Sequence, residues 1–162
     1  MFFRRVFCVF FTKLLILYNF STHAFKNFKP KIFYDKKQLN YGSKYRKLFK
    51  HQMKYTGLVQ DHHCIPKEHR NHDLLKEINY DINTSENIII MPNKIGIHTL
   101  KLHPDTLIHD GGHLKYNIYV RNKLDYILNN FHDKDSHKYQ FWLLHKHLKK
   151  NMDFNHENIP WR

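Results

Sequence analysis

The chain has 162 residues, 41% of them hydrophobic, enough for one domain with a modest core. Lys and Arg number 27 against 14 Asp and Glu, a formal net charge of +13 that favours a polyanionic partner: nucleic acid first, an anionic membrane surface second. Two cysteines, Cys8 and Cys64, exclude a disulfide framework and a cysteine-built zinc cluster.

The first 24 residues read as a leader. Arg4 and Arg5 form a positive start, Val6 to Tyr18 is apolar apart from Thr12 and Lys13, and Thr22-His23-Ala24 ends in a small residue suited to cleavage. A secreted protein is the expectation. An uncleaved membrane anchor and a hydrophobic element of the fold are the alternatives, although the run is short for a span and Lys13 interrupts it. No stable membrane insertion of the mature chain is expected.

Residues 25–56 form a basic, aromatic arm, in which Tyr45-Arg46-Lys47-Leu48-Phe49 can start a short helix. Basic residues interleaved with aromatics suit a nucleic-acid backbone and its bases. A core over 57–131 follows. Residues 57–66, GLVQDHHCIP, predict a short strand running into a loop stopped by Pro66, and 68–79 a short polar helix or an irregular loop. Asn83-Thr84-Ser85 is turn chemistry. Asn87 to Met91 is a β-rich run ended by Pro92. Gly96 and Pro104 punctuate the next stretch.

Then the period changes. Val120, Leu124, Ile127, Leu128 and Phe131 lie at i, i+4, i+7, i+8 and i+11, the apolar face of a helix. Asp133 to Ser136 is read as its break. Residues 132–162 hold a second helix on Phe141, Leu144 and Leu148, with Lys and His on its outer face, and a tail. Lys146, Lys149 and Lys150 form a cluster there, suited to tracking a nucleic-acid backbone.

Fifteen histidines carry the chemistry. Asp61-His62-His63-Cys64 spells the signature of the membrane enzymes that attach palmitate to cysteine. Those enzymes hold it in a cysteine-rich zinc domain among several spans, and this chain has neither. Cys64 reads instead as a small buried hydrophobe. The informative order is His62-His63 at a strand end, Asn87 at the start of the next strand, His109-Asp110-Gly111-Gly112-His113, then Tyr116-Asn117. Phosphodiester hydrolysis needs a base for water and a cation to offset charge on the phosphate. Adjacent strand residues face opposite sides, so one histidine of the pair suits a metal and the other the substrate water. An Asn beside them suits holding an imidazole. His109 and His113, one helical turn apart, suit a common ion, although two glycines between them make it more natural for Asp110 to cap a helix with His109 just before it. His69, His72, His98 and His103 read as non-ligands.

DHHCIPKE, SENIIIMPN and IHDGGHLKYNIYV resemble, in order, the motifs of the HNH (ββα-metal) nuclease superfamily, and within it the AHH family of toxin-type nucleases. The resemblance covers about 58–128. Asp61 replaces the family's alanine and Leu114 its proline. It implies an α+β fold with a small ββα-metal, treble-clef-like core and additional C-terminal helices. It also implies a metal-dependent endonuclease, with His63 as general base and Asn87 as its orienting partner. His62, His109 and His113 would ligate one divalent ion, Zn2+, Mg2+ or Mn2+. Asp61 would replace or assist a ligand, and Asn117 would support the metal site or bind phosphate. DNA is the preferred substrate over RNA. The rival is a non-catalytic nucleic-acid-binding protein with a zinc-stabilised HNH-like fold, which gains if His63 points away from the metal cleft.

Overall fold

Strand β1, Val59–His63, pairs antiparallel with β2, Ile88–Pro92, with His62 opposite Ile89 and His63 opposite Ile88. The β-branched run of β2 favours this conformation, and Pro92, which has no N–H, closes the ladder. In this computed structural model the described residues are 36–152 and 158–161, and they lie within one compact unit, Tyr34–Arg162. The leader expected over 1–24 and the first part of the arm fall outside them.

Among the described residues, five α-helices accompany the two-stranded sheet. Helix α1 is Lys44–Gln52, with Ser43 capping it through the Arg46 N–H. Between the strands lie a 3-10 turn, Lys67–Asn71, helix α2, Asp73–Glu77, and a turn over 81–87. Helix α3, Lys94–Thr99, follows β2 at once, capped by Asn93. Gly96 therefore stands inside a helix rather than in a loop. A Cβ there would fall 1.8 Å from the Leu58 carbonyl oxygen, so only glycine lets α3 lie against the chain entering β1. Helix α4 is Leu114–Asn130 and α5 is Lys134–Asn151. The break between them is shorter than expected. Asp133 accepts hydrogen bonds from the N–H groups of Asp135 and Ser136, so this acidic stretch starts α5 instead of separating it.

A two-stranded sheet is not stable alone. Here the loop after β1, α2, α4 and α5 supply the core: Cys64, Ile65, Leu74, Leu75, Tyr116, Val120, Leu124, Phe141 and Leu148 cluster in it, almost fully buried. The apolar face read for α4 is the buried one, with Leu128 and Phe131 half-buried at its end. The Tyr116 hydroxyl donates to the Cys64 carbonyl, pinning α4 to the end of β1. Cys64 is a core residue whose thiol burial pushes up to about 12.

Histidines act as tertiary ties. His69 Nε2 lies 2.9 Å from the Asn117 carbonyl oxygen and His72 Nε2 2.9 Å from Asp125. His137 bridges Glu77 and the Phe131 carbonyl, both at 2.8 Å. His145, expected on the outer face of the last helix, is instead buried among Tyr80, Phe141 and Trp142, because it shares the Phe141–Leu148 side of α5. The class is α+β, as expected: a small antiparallel sheet followed by helices. Among the described residues, no helix is long and apolar enough to cross a membrane.

Candidate metal centre

At the end of β1 the alternation of side chains sends His62 and His63 into different surroundings. His62 enters a pocket of aromatic rings. The His109 and His113 rings stand 5.3 and 5.4 Å from it and 5.1 Å from each other. The His109 N–H donates to the Pro92 carbonyl at 2.8 Å, so the loop holding His109, which comes after α3, is tied back to the end of β2. His113 is the N-cap residue of α4.

This differs from the expected helical turn. His109 to His113 is not helical. Gly111 takes φ +85°, and α4 begins only at Leu114. Asp110 does not cap it but pairs with Lys94 at 2.7 Å. The two histidines meet because the glycine turn folds the loop back, not because four residues make one turn.

One nitrogen from each of His62, His109 and His113 lies within 4.8 Å of the others. His62 and His113 are buried and His109 half-buried. Burial, then the neighbouring histidines, push the His62 pKa down to about 3, and burial lowers that of His109. Neutral imidazoles result, each with a lone pair to offer. His62 Nε2 and His109 Nδ1 are buried and make no hydrogen bond. Buried polar atoms without partners are costly, and an ion would satisfy them. Three imidazole nitrogen donors fit a divalent transition metal, and three protein ligands are the number that leaves room for water or substrate.

His63 lies apart from this group. Its ring stacks, tilted, on Tyr41 at 4.5 Å, and Nε2 is 3.3 Å from Asn83 Oδ1. Tyr41 is held there by its own N–H, which donates to the Asn83 carbonyl at 2.9 Å. Burial lowers the His63 pKa, against the raising effect of the Asn83 hydrogen bond, with Lys67 lowering it further. A hydrogen on Nε2 donates to Asn83 and leaves Nδ1 as the free acceptor.

Asn87, Asp61 and Asn117 make contacts other than those expected. The Asn87 side chain bonds backbone groups rather than the His63 ring. Its Oδ1 accepts from the Ile65 N–H at 2.8 Å and its Nδ2 donates to the carbonyls of Ile65 and Ile82. Burial between the loops leaves its carboxamide no reach beyond those backbone groups. Asp61 sits on the strand face opposite His62 and binds Arg46 at 2.8 Å and Lys50 at 2.9 Å. Its carboxylate is held there by two cations rather than turned to the histidines. The Asn117 amide donates to Glu68 at 2.8 Å. Lys146, Lys149 and Lys150 are exposed on α5, and Lys149 reaches the Glu86 carbonyl. His98 and His103 are exposed. Asn83 and Trp161 were missed. Asn83 carried only a turn signal, and nothing in the local sequence marked Trp161, whose ring lies 4.1 Å from that of His113.

No curated protein and no solved structure matches the chain. One family model does, over residues 44–150, and this span contains β1, β2, α4 and all three clustered histidines. By that match the chain belongs to the AHH family, a nuclease family of the HNH/ENDO VII superfamily with conserved AHH, here with Asp61 in the alanine position.

Proposed function

We propose that this protein is an endonuclease that hydrolyses phosphodiester bonds of DNA, in preference to RNA, with one divalent ion held by His62, His109 and His113. The observation that carries the reading is the convergence of three imidazole nitrogens within 4.8 Å in a family of nucleases. When bound, the ion supplies Lewis-acid stabilisation of charge on the phosphate and the leaving oxygen. Zinc fits the donors best by affinity, with Mg2+ and Mn2+ as alternative working ions.

The chain's own groups do the rest. His63, kept neutral, takes a proton from water at Nδ1 while Asn83 holds Nε2. Lys67, whose ammonium sits 5.3 Å from the Tyr41 ring centre, brings positive charge to the same side. Exposed lysines of α5 add sequence-independent affinity for a phosphate backbone. Export with cleavage after Ala24 is part of this reading, supported by Arg4, Arg5 and the apolar run to Tyr18.

One observation favours a second reading, a protein that binds nucleic acid without cutting it. His63 leaves β1 on the side opposite the histidine cluster, against Tyr41 and Asn83. The two readings separate in one experiment. Labelled DNA duplex and RNA hairpin are incubated with the purified chain, with zinc, magnesium or manganese, and with chelator. Metal-dependent cleavage that chelator abolishes supports the nuclease. Binding of either polymer with no cleavage under any metal replaces it with the binding protein.

A further inference from the structure

Trp161 touches every chain segment that brings a histidine to the cluster. Its ring is 5.1 Å from His62 on β1 and 4.1 Å from His113 at the head of α4. Its Nε1–H donates to the Ile108 carbonyl at 3.3 Å, on the residue just before His109. It also packs on Tyr116 at 5.3 Å, beneath the same site. The tail that carries it is seated: Ile159 is buried in the main core cluster and Trp161 packs against that cluster. The family match ends at residue 150, so this contact lies outside what the family model covers.

We infer that Trp161 is a positioning residue of the metal centre, holding the His62 and His113 imidazoles and the His109 loop in the arrangement that binds the ion. The inference rests on the metal-binding reading of the three histidines. An imidazole free to turn about its Cβ–Cγ bond loses that freedom when it ligates. A flat indole against two of the rings removes it beforehand, and preorganisation of this kind raises affinity. The indole also shields one side of the cluster from water, which strengthens electrostatic interactions within it.

The test uses the full chain and cobalt as the probe, read by its visible absorption and by tryptophan emission. The chain has two tryptophans, so Trp142→Phe leaves Trp161 as the sole emitter. In that variant one equivalent of Co2+ should quench most of the emission. Trp161→Phe should leave the remaining Trp142 emission largely unquenched. Trp161→Ala should weaken cobalt binding by about tenfold and change its absorption band, the scale typical of residues supporting metal ligands. Trp161→Phe should recover much of that affinity because a ring still walls the site. Thermal melts of the metal-free forms check that the variants fold.

Trp161→Ala with parental affinity and spectrum would overturn the inference, as would stoichiometric cobalt binding without quenching in Trp142→Phe. Failure of the underlying reading looks different: the parent itself takes up no cobalt, or His62→Ala takes it up as well as the parent. Either result removes the metal centre and this inference with it.

Discussion

The side-chain amide of Asn87 grips both backbone polar groups of Ile65, accepting from its N–H at 2.8 Å and donating to its carbonyl at 3.0 Å. A third bond to the Ile82 carbonyl fixes the turn before β2 to the loop after β1. Asn87 thus shapes the chain that presents His63, while Asn83 makes the contact with the imidazole. Asn87→Ala should therefore destabilise the fold by on the order of 3 kcal/mol, since several buried backbone groups lose their partners. Asn83→Ala should change stability by only about 0.5 kcal/mol but lower the cleavage rate about tenfold. Denaturant melts beside turnover of a labelled duplex separate the two. Equal losses of stability would refute the division of roles.

Asp61 stands where the family has alanine, and the buried Arg46 guanidinium depends on it. Asp61→Ala should cost about 3 kcal/mol, because removing one partner leaves a buried charge uncompensated. Metal content per folded chain should stay at the parental level, as the carboxylate faces away from the cluster. Loss of metal at unchanged stability would restore Asp61 as a ligand.

His63→Ala should reduce cleavage by about 10²–10⁴-fold, the range for loss of a general base, and leave metal content and duplex affinity nearly unchanged. His113→Ala should lower metal occupancy and cleavage together. Metal analysis paired with cleavage rate decides the matter. Parental cleavage by His63→Ala would place the base elsewhere.

Buried His145 sets an acid limit on stability. Burial, then the Lys149 charge, push its pKa down to about 4 from an ordinary 6.5, and its Nε2 has no hydrogen-bond partner. The folded state holds it neutral among Tyr80, Phe141 and Trp142. The unfolded chain takes the proton first, so stability is lost as pH falls from about 6.5 towards 4. His137 runs the other way. The Glu77 hydrogen bond raises its pKa, so its contribution is full below about 6.5 and lost as pH rises through the folded value. In the metal-free protein, His145→Phe should reduce the stability lost between pH 7.5 and 4.5 by about 2–3 kcal/mol. Denaturant midpoints at the two pH values measure it, and an unchanged difference would mean that another group sets the acid limit.

Short-range periodicity made much of this protein legible in its sequence. The five apolar positions from Val120 to Phe131 define the buried side of α4 because helical spacing is local. The isoleucine run of β2 and the strand ending at His63 are legible in the same local way, whereas the order of the histidines is legible only as a resemblance to a nuclease motif. Tertiary structure alone decided who touches whom. Arg46 and Asp61 are 15 residues apart, His63 and Asn83 20, Ile108 and Trp161 53. Over such separations the partner depends on how whole elements pack, and a polar side chain carries no local mark of the group it will meet. An asparagine beside a histidine motif can bind the imidazole or the backbone. A histidine on a helix surface can be solvated or turned inward like His145. A tryptophan near residue 160 gives no sign that it will lie against the histidine cluster. Those choices were made by burial, which favours for a polar group whichever partner the packed fold leaves within reach.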